Sequence, residues 1–371
     1  MTERPLRIVF ATARYAPFIG GVETHVRSVS RLLADAGHAV TVLTSDPSGE
    51  LPPHEVDDGV EIVRVRARPR RGDLYVAPGV ARVLAERRWD VVHVQSYHTF
   101  VAPIAMRAAR RLGLPYLVTL HGGGHSSRLR HRARSLQIRA LGPLLRSAHR
   151  LVATASFEVE LYGRLARVPA ESFVLIPNGG AEVLRPDGPR VSDGSTIVSM
   201  GRLERYKGHD RAIAALPTVL ERVPAARLWI AGEGPDEARL RRLARRHGVE
   251  DRVEIRGVPL SRRAEYVGAL SKAALAVLLS EFETHPLSVV EAASLGCPVL
   301  VADTGGSREL AERGWARAVP LRATPRRTGE AMAELIESPP PPVAVELPTW
   351  EDCCARLVEV YRDAVASRAR A

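Results

Sequence analysis

Short apolar runs rich in valine, isoleucine and leucine alternate along the chain with amphipathic stretches of helical length, and the series occurs twice. Runs this continuous have no polar face to show to water, so they fit strands of parallel sheets covered on both sides by helices. The first series places strands at 7–12, 39–44, 60–66, 91–95, 115–120, 151–155 and 173–176, with a helix over 22–36 stopped by Gly37. After a polar break rich in Pro, Gly and Asp at 185–195, the second places strands at 196–200, 227–231, 253–256, 275–279 and 299–302, with helices over 209–222 and 235–247. The prolines at 339–342 close it, and a last helix starts at Thr349 with Trp350, Leu357, Val360 and Tyr361 in register. A chain of 371 residues suits two domains of roughly 150–200 residues. The fold class is therefore α/β, with two doubly wound domains expected at 1–186 and 187–348.

Composition narrows what such a chain can do. Apolar residues make up 45%, as in an ordinary core-forming protein, and no run approaches the roughly 18 apolar residues of a membrane span. The apolar run at 8–11 is short, lacks a small-residue cleavage site and reads as a strand rather than a signal peptide. Cys297, Cys353 and Cys354 are odd in number and two are adjacent, so they form no disulfide framework and fit a reducing cytoplasm. The formal charge is +11, yet Lys207 and Lys272 are the only lysines, so 51 of the 53 basic residues are arginine and much of the charge is an arginine bias. Aromatics are 5% and none interleaves with the arginine-rich stretch, so platforms for stacking nucleic acid bases are absent. No His, Cys, Asp or Glu cluster has metal-ligand spacing.

Ligands of doubly wound sheets sit beyond the carboxyl ends of the strands, near helix N-termini, so the residues just after strands carry the functional signal. Gly20-Gly21-Val22-Glu23 opens the first helix. Glycines there let a backbone approach a phosphate or sugar, although a plain glycine-rich turn has the same composition. It is not the Gly-x-Gly-x-x-Gly dinucleotide fingerprint. His121-Gly122-Gly123-Gly124 follows the strand at 115–120, where a histidine suits a ligand contact or a satisfied core position. In the second series, Gly201-Arg202 closes the first strand and Lys207-Gly208 opens the helix at 209–222. Cations favour helix C-termini; here Arg202, Arg205 and Lys207 crowd the positive end, with no carboxylate in the first turn before Asp210. That arrangement is poor for stability and good for binding a diphosphate.

Glu283 and Glu291 complete the pattern. On one continuous helix they would stand about 80° and about 12 Å apart. Thr284 as cap and Pro286 in the first turn would instead start the helix after Glu283, with a stop at Gly296. Glu283 then lies in the loop and Glu291 in the helix, leaving the N–H groups of Leu287 and Ser288 for phosphate oxygens. Carboxylates accept from sugar hydroxyls, so the two segments together make a site for a sugar linked to a diphosphate.

These motifs, with Thr304-Gly305-Gly306 and the closing Trp350 helix, resemble those of GT-B glycosyltransferases of the family 4 type over nearly the whole chain. The resemblance implies two Rossmann-like domains facing a cleft, the first for the acceptor and the second for the nucleotide sugar, with the C-terminal helix at 349–371 crossing back to the first. It implies transfer of a sugar from a UDP- or GDP-linked donor to a hydroxyl with retention of configuration, with no metal and no other cofactor. Carried over by motif, Arg202 and Lys207 would hold the leaving diphosphate, Glu283 the transferred sugar, Glu291 the ribose, and His121 a sugar hydroxyl. His121, Glu283, Lys207 and Arg202 are thus the expected catalytic set. Gly20, Gly21, Leu287 and Ser288 would bind the donor, as would Val258, beside Gly257, through backbone groups at the nucleobase. His285-Pro286 departs from the Phe-Gly pair of many relatives. Proline removes an N–H, and His285 would add a bulky polar group beside the sugar. Pro177-Asn178-Gly179 reads as a hinge turn.

Acceptor motifs are fainter. Between Asp90 and Glu158 there is no acidic residue, while arginines are frequent from Arg107 to Arg150. Arg128, Arg130, Arg132, Arg134, Arg139, Arg146 and Arg150, alternating with Leu129, Leu136, Ile138, Leu141 and Leu145, suit docking on an anionic membrane or gripping a phosphorylated acceptor. A solvated face in an arginine-biased chain would look the same. A lipid-linked glycan, a cell-surface glycan precursor and a secondary metabolite all stay open as acceptors. The rival readings are a catalytically silent relative, a sugar-nucleotide epimerase of the same architecture, and a basic binding protein for nucleic acid or anionic surfaces.

Overall fold

The computed structural model describes residues 4–18, 20–69, 76–122, 128–179, 190–259, 262–342 and 348–370; the side chains of 128–133 lie outside that description. The chain divides into two compact units. Met1–Gly122, Arg132–Gly179 and Pro348–Ala371 form the first, and the second is chiefly Gly180–Leu347. The chain thus changes unit at 179/180 and 347/348, against 186/187 and 348/349 expected from the sequence.

The first unit contains β1 (Arg7–Ala11), α1 (Gly21–Asp35), β2 (Ala39–Asp46), β3 (His54–Asp57), β4 (Val60–Arg66), α2 (Gly79–Glu86), β5 (Val91–Gln95), α3 (Val101–Arg111), β6 (Tyr116–Thr119), α4 (Arg128–Leu145), β7 (Arg150–Ala153), α5 (Ser156–Ala166) and β8 (Phe173–Leu175). Its sheet runs β3-β4-β2-β1-β5-β6-β7-β8. All pairs are parallel except β3–β4, a hairpin turning through Asp58 and Gly59, both in the left-handed region. Val9 pairs with Thr41 on one side and Val92 on the other, and Ile8, Val9 and Phe10 are fully buried. The order reverses between β1 and β5, so the loops after these strands flank the switch point.

The second unit contains β9 (Thr196–Met200), α6 (His209–Arg222), β10 (Arg227–Ala231), α7 (Glu237–Arg246), β11 (Val253–Ile255), α8 (Arg263–Lys272), β12 (Leu275–Leu278), α9 (Leu287–Ser294), β13 (Val299–Ala302), α10 (Gly305–Glu312), β14 (Arg317–Val319) and α11 (Pro325–Glu337). Its sheet is wholly parallel, in the order β11-β10-β9-β12-β13-β14. This is the Rossmann order, whose switch point lies between β9 and β12. The segments 201–208 and 279–287 leave those two strands, so the fold itself brings the two strongest motifs together.

The last helix, α12 (Trp350–Arg370), belongs to the first unit. Thr349 Oγ1 accepts from the Asp352 N–H at 3.0 Å, and the Asp352 carboxylate accepts from the Thr349 N–H at 2.9 Å, a reciprocal cap. Trp350, Cys353, Cys354, Leu357, Tyr361 and Ala364 form its buried stripe. The Tyr361 hydroxyl is 2.7 Å from His93 Nδ1, and His93 Nε2 is 2.7 Å from Thr119 Oγ1, which ties the helix to β5 and β6.

Candidate active site

In the second unit, β9 ends at Met200; Gly201 (φ 122°) follows it, then Arg202, exposed and with no hydrogen-bond partner for its guanidinium among the described residues. A short 3-10 turn over Arg205–Lys207 leads to Gly208. Gly208 has φ 75°, and a Cβ there would stand 2.0 Å from the Leu279 carbonyl oxygen, so only glycine lets this turn press against the end of β12. His209 is buried and props the turn, its Nδ1 2.8 Å from Ser199 Oγ and its Nε2 3.2 Å from the Arg202 carbonyl.

Lys207 does not stand alone. Its Nζ donates to Glu283 Oε1 at 2.7 Å, and both side chains are largely buried. Burial alone would lower the Lys207 pKa, but the Glu283 carboxylate outweighs it and holds the ammonium above its ordinary value. Asp210 is the acidic residue in the first turn of α6, as expected, and the carboxylate that balances Lys207 lies outside that helix. The carboxylate comes from 76 residues away in sequence. Glu283 is itself held by its backbone, whose carbonyl accepts from the Gly306 N–H at 2.9 Å. A Cβ on Gly306 would stand 1.4 Å from the Thr284 carbonyl oxygen, so the glycine pair opening α10 lets the loop approach.

Thr284 does not cap α9, which corrects the expectation from sequence. Pro286 is the N-cap residue, and the Val289 and Val290 N–H groups donate to its carbonyl at 3.0 and 3.3 Å. The N–H groups of Leu287 and Ser288 occupy the first two positions of the helix, where no carbonyl of the preceding turn reaches them. The Glu291 carboxylate, buried one turn on, accepts from Arg263 Nη2 at 2.5 Å. Burial raises its pKa and Arg263 opposes the rise. Both ring nitrogens of His285 are buried without hydrogen-bond partners among the described residues, and burial lowers its pKa to about 4, so the ring is neutral near pH 7. Val258 packs in part on the core that holds Trp229. A Cβ on Gly257 would come within 2.5 Å of Glu233 Cγ.

In the first unit, a Cβ on Gly20 would stand 2.3 Å from Glu23 Oε2, whereas one on Gly21 would meet nothing within 4 Å. The packing of the chain therefore does not account for glycine at 21. Ser96 (φ 68°) and His121 (φ 42°) follow the adjacent strands β5 and β6, both non-glycine residues in the left-handed region. Such strain collects at functional sites. His121 is buried, with Nε2 2.7 Å from Gln95 Oε1 and its carbonyl 3.2 Å from His98 Nε2. Its ring meets that of His25 edge-on at 4.8 Å. Burial, then the neighbouring His25, His93 and His98, keep its pKa well below the ordinary value, so the imidazole is neutral near pH 7. Asn178 is buried in the same unit.

The arginine-rich segment is less uniform than its sequence suggests. The side chains of Arg128, Arg130 and Arg132 and of Leu129 lie outside the described residues. Arg146 donates to the Ala166 carbonyl at 2.5 Å and Arg150 to the His149 carbonyl at 2.9 Å, so both serve the fold. Leu136 is 69% exposed instead of lying beneath the charge, while Ile138 and Leu145 are buried. No helix among the described residues is long and apolar enough to cross a membrane.

Sequence reasoning missed Arg263, Gln95 and Glu158. The Glu158 carboxylate is wholly buried and accepts from the N–H groups of Gly122 at 2.8 Å and Thr154 at 2.7 Å. One signal pointed to it: Glu158 is the first acidic residue after the acid-free stretch that begins at Asp90.

Two Rossmann-like units, with cations and carboxylates gathered at the switch point of the second, define a GT-B glycosyltransferase. Comparison with known proteins agrees. Residues 20–179 match the family model described as a glycosyl transferase 4-like domain, and residues 181–345 match that of glycosyl transferases group 1. Glycogen synthase of Mycobacterium tuberculosis (strain CDC 1551 / Oshkosh) is 32% identical over 345 residues, covering 83% of this chain and 81% of the relative. GDP-mannose:cellobiosyl-diphosphopolyprenol alpha-mannosyltransferase of Xanthomonas campestris is 28% identical over 308 residues, covering 80% and 79%. Among solved structures, sucrose-phosphate synthase from Thermosynechococcus elongatus superposes with a TM-score of 0.74 at 20% identity, covering 98% of this chain and 100% of the other. The chain belongs to this glycosyltransferase family, and it is an enzyme of the GT-B type that uses a nucleotide sugar.

Proposed function

We propose that the chain transfers a sugar from a UDP- or GDP-linked donor to a hydroxyl acceptor, with retention of anomeric configuration and without a metal. The observation that carries this reading is the grouping of Arg202, Lys207 and Glu283 where β9 and β12 end. Arg202, Lys207 and the N–H groups of Leu287 and Ser288 take the leaving diphosphate, which is electrostatic stabilisation of charge as it develops. The ion pair keeps Lys207 charged and pre-oriented, and Glu283 accepts from hydroxyls of the transferred sugar. Glu291 takes the ribose hydroxyls, backbone groups near Val258 the base, and Gly20 and Gly21 contribute to donor binding. His121, neutral, serves a sugar hydroxyl. The acceptor attacks from the face of the leaving group and its proton passes to the departing phosphate, so no protein nucleophile is required.

The acceptor class is a hydroxyl compound, whether a lipid-linked or surface-glycan precursor or a secondary metabolite. The three free cysteines suit work in a reducing cytoplasm. The arginine-rich segment 128–150 meets an anionic acceptor or membrane surface. Sedimentation with acidic but not neutral vesicles at low salt supports the surface, and equal sedimentation removes it.

A thermal-shift screen of nucleotide sugars tests the donor. Saturation at 100 times the dissociation constant stabilises by about 2.7 kcal/mol. Product analysis by NMR then reads the anomeric configuration. Activity abolished by EDTA and restored by Mn²⁺ would overturn the metal-free reading, and a screen without any shift would overturn the donor class.

A further inference from the structure

Glu158 stands at the third position of α5, where an acidic residue ordinarily caps its own helix. Part of its bonding fits that role. Oε2 accepts from the Thr154 N–H at 2.7 Å and from Thr154 Oγ1 at 3.1 Å, both just ahead of the helix. The other oxygen does something a cap does not need. Oε1 accepts from the Gly122 N–H at 2.8 Å, 36 residues away, at the end of the neighbouring strand β6. The side chain that joins the ends of β6 and β7 in this way is entirely buried, and a buried carboxylate is costly unless its partners are well placed. The residue just before Gly122 is His121, a non-glycine residue at φ 42°, which persists only where its surroundings over-determine it. Gln95 fixes its ring and His98 the carbonyl of its outgoing peptide, while Glu158 takes the N–H of that same peptide at Gly122.

We propose that Glu158 is a positioning residue for His121, holding the turn after β6 in its strained conformation by accepting from Gly122 on one oxygen and from Thr154 on the other. This rests on the assignment of His121 to the transferred sugar. The geometry requires two acceptor oxygens, since the two backbone N–H groups face different oxygens. Glutamine has one acceptor and one donor, so Glu158→Gln would set its amide N–H against a backbone N–H. Protonation does the same through the carboxyl O–H. Burial pushes the Glu158 pKa up to about 7, against the pull of the Gly122 and Thr154 bonds. The groups facing it are the Tyr97 and Tyr162 hydroxyls, themselves 2.9 Å apart, and Arg134 acts on both tyrosines. Turnover should therefore fall as pH drops through about 7.

The test pairs amide hydrogen exchange with steady-state hydrolysis of a nucleotide sugar, water serving as acceptor. In Glu158→Gln, exchange at Gly122 should rise at least about tenfold while amides of β9 to β13 stay unchanged. kcat should fall about 10- to 100-fold, the scale of a small misplacement of a reacting group. KM for the donor should stay within about twofold, and the pH limb near 7 should disappear. Glu158→Asp, which keeps two acceptor oxygens, should restore part of kcat. Should Glu158→Gln not fold, Thr154→Val, which removes only the hydroxyl bond, should shift the limb with a smaller loss of kcat. Unchanged Gly122 exchange with wild-type kcat overturns the proposal, as does a loss of melting temperature with the pH profile intact. A wild-type protein that neither binds nor hydrolyses nucleotide sugars would sink the functional reading instead, and the exchange arm would still decide for or against Glu158.

Discussion

The proposed function gives Lys207 and Glu283 a second task beside their ion pair, and substitutions should separate the two. Lys207→Ala should lower turnover about 10²- to 10³-fold by removing preorganised charge from the leaving group. It should also cost about 1–3 kcal/mol of stability, because Glu283 loses its partner in a mostly buried place. Adding Glu283→Gln should restore most of that stability, measured by urea denaturation, and none of the turnover. Recovered activity in the double variant would refute the clamp. Glu291→Gln should mainly weaken nucleotide binding, by about 1–3 kcal/mol for a lost charged hydrogen bond, read by calorimetry with free UDP and GDP. If both nucleotides bind the variant as tightly as the wild type, the ribose assignment is wrong. The residue types of this site could be read from sequence because helix ends and strand ends have local signatures. The pairings could not: Lys207 with Glu283 and Arg263 with Glu291 join positions 76 and 28 apart, and such contacts leave no local pattern.

At the level of elements, inner strands and long amphipathic helices were legible to the residue, as at β4, β5, β9, α6, β10 and β13, because burial on both faces imposes a continuous apolar pattern. The strands that escaped, β3 and β14, sit at sheet edges, where one side needs no partner and the sequence is free to be polar. The start of α9 was misplaced for a related reason. Threonine is a good cap by composition, but the Thr284 carbonyl lies against Gly306, so tertiary packing fixes the loop and the helix begins after Pro286. The turn before α6 offers a test of this dependence on packing. Gly208→Ala places a Cβ against the Leu279 carbonyl at a left-handed residue. It should cost at least about 1–2 kcal/mol from the backbone alone and displace Lys207, lowering donor affinity together with the denaturation midpoint. A variant of wild-type stability would show that the turn has room the structure denies.

Across the whole molecule, the alternation of strands and helices announced two units, whereas the attachment of the last helix to the first unit needed family resemblance, since nothing local in α12 names its partner. Burial of histidines also acts at this scale. His25 in the first unit and His285 in the second have pKa values lowered to about 4, burial being the main cause. An unfolded histidine titrates near 6.5, so the stability due to each is complete above about 6.5 and is lost as pH falls towards 4. Glu158 runs the other way in the first unit, its raised pKa adding stability below about 4.5 that is lost as pH rises through about 7. His285→Phe should therefore flatten the acid slope of the second unit's melting transition between pH 6.5 and 4, and an unchanged slope would contradict the buried neutral ring. The last helix gives the sharpest whole-chain test. It buries Trp350, Leu357 and Tyr361 in the first unit, and full burial of each large apolar side chain is worth about 1.5–3 kcal/mol. Their sum rivals the 5–15 kcal/mol by which a typical domain is stable. Truncation before Trp350 should thus unfold the first unit, exposing its amide and protease-sensitive sites, while the second unit still shifts on adding nucleotide sugar. Tyr361→Phe is the milder form: it leaves His93 Nδ1 without its 2.7 Å partner and should cost about 1–3 kcal/mol with donor affinity unchanged. A truncated chain whose first unit stays protected would mean that the sheet from β1 to β8 completes its own core, and that α12 is an addition to the fold instead of part of it.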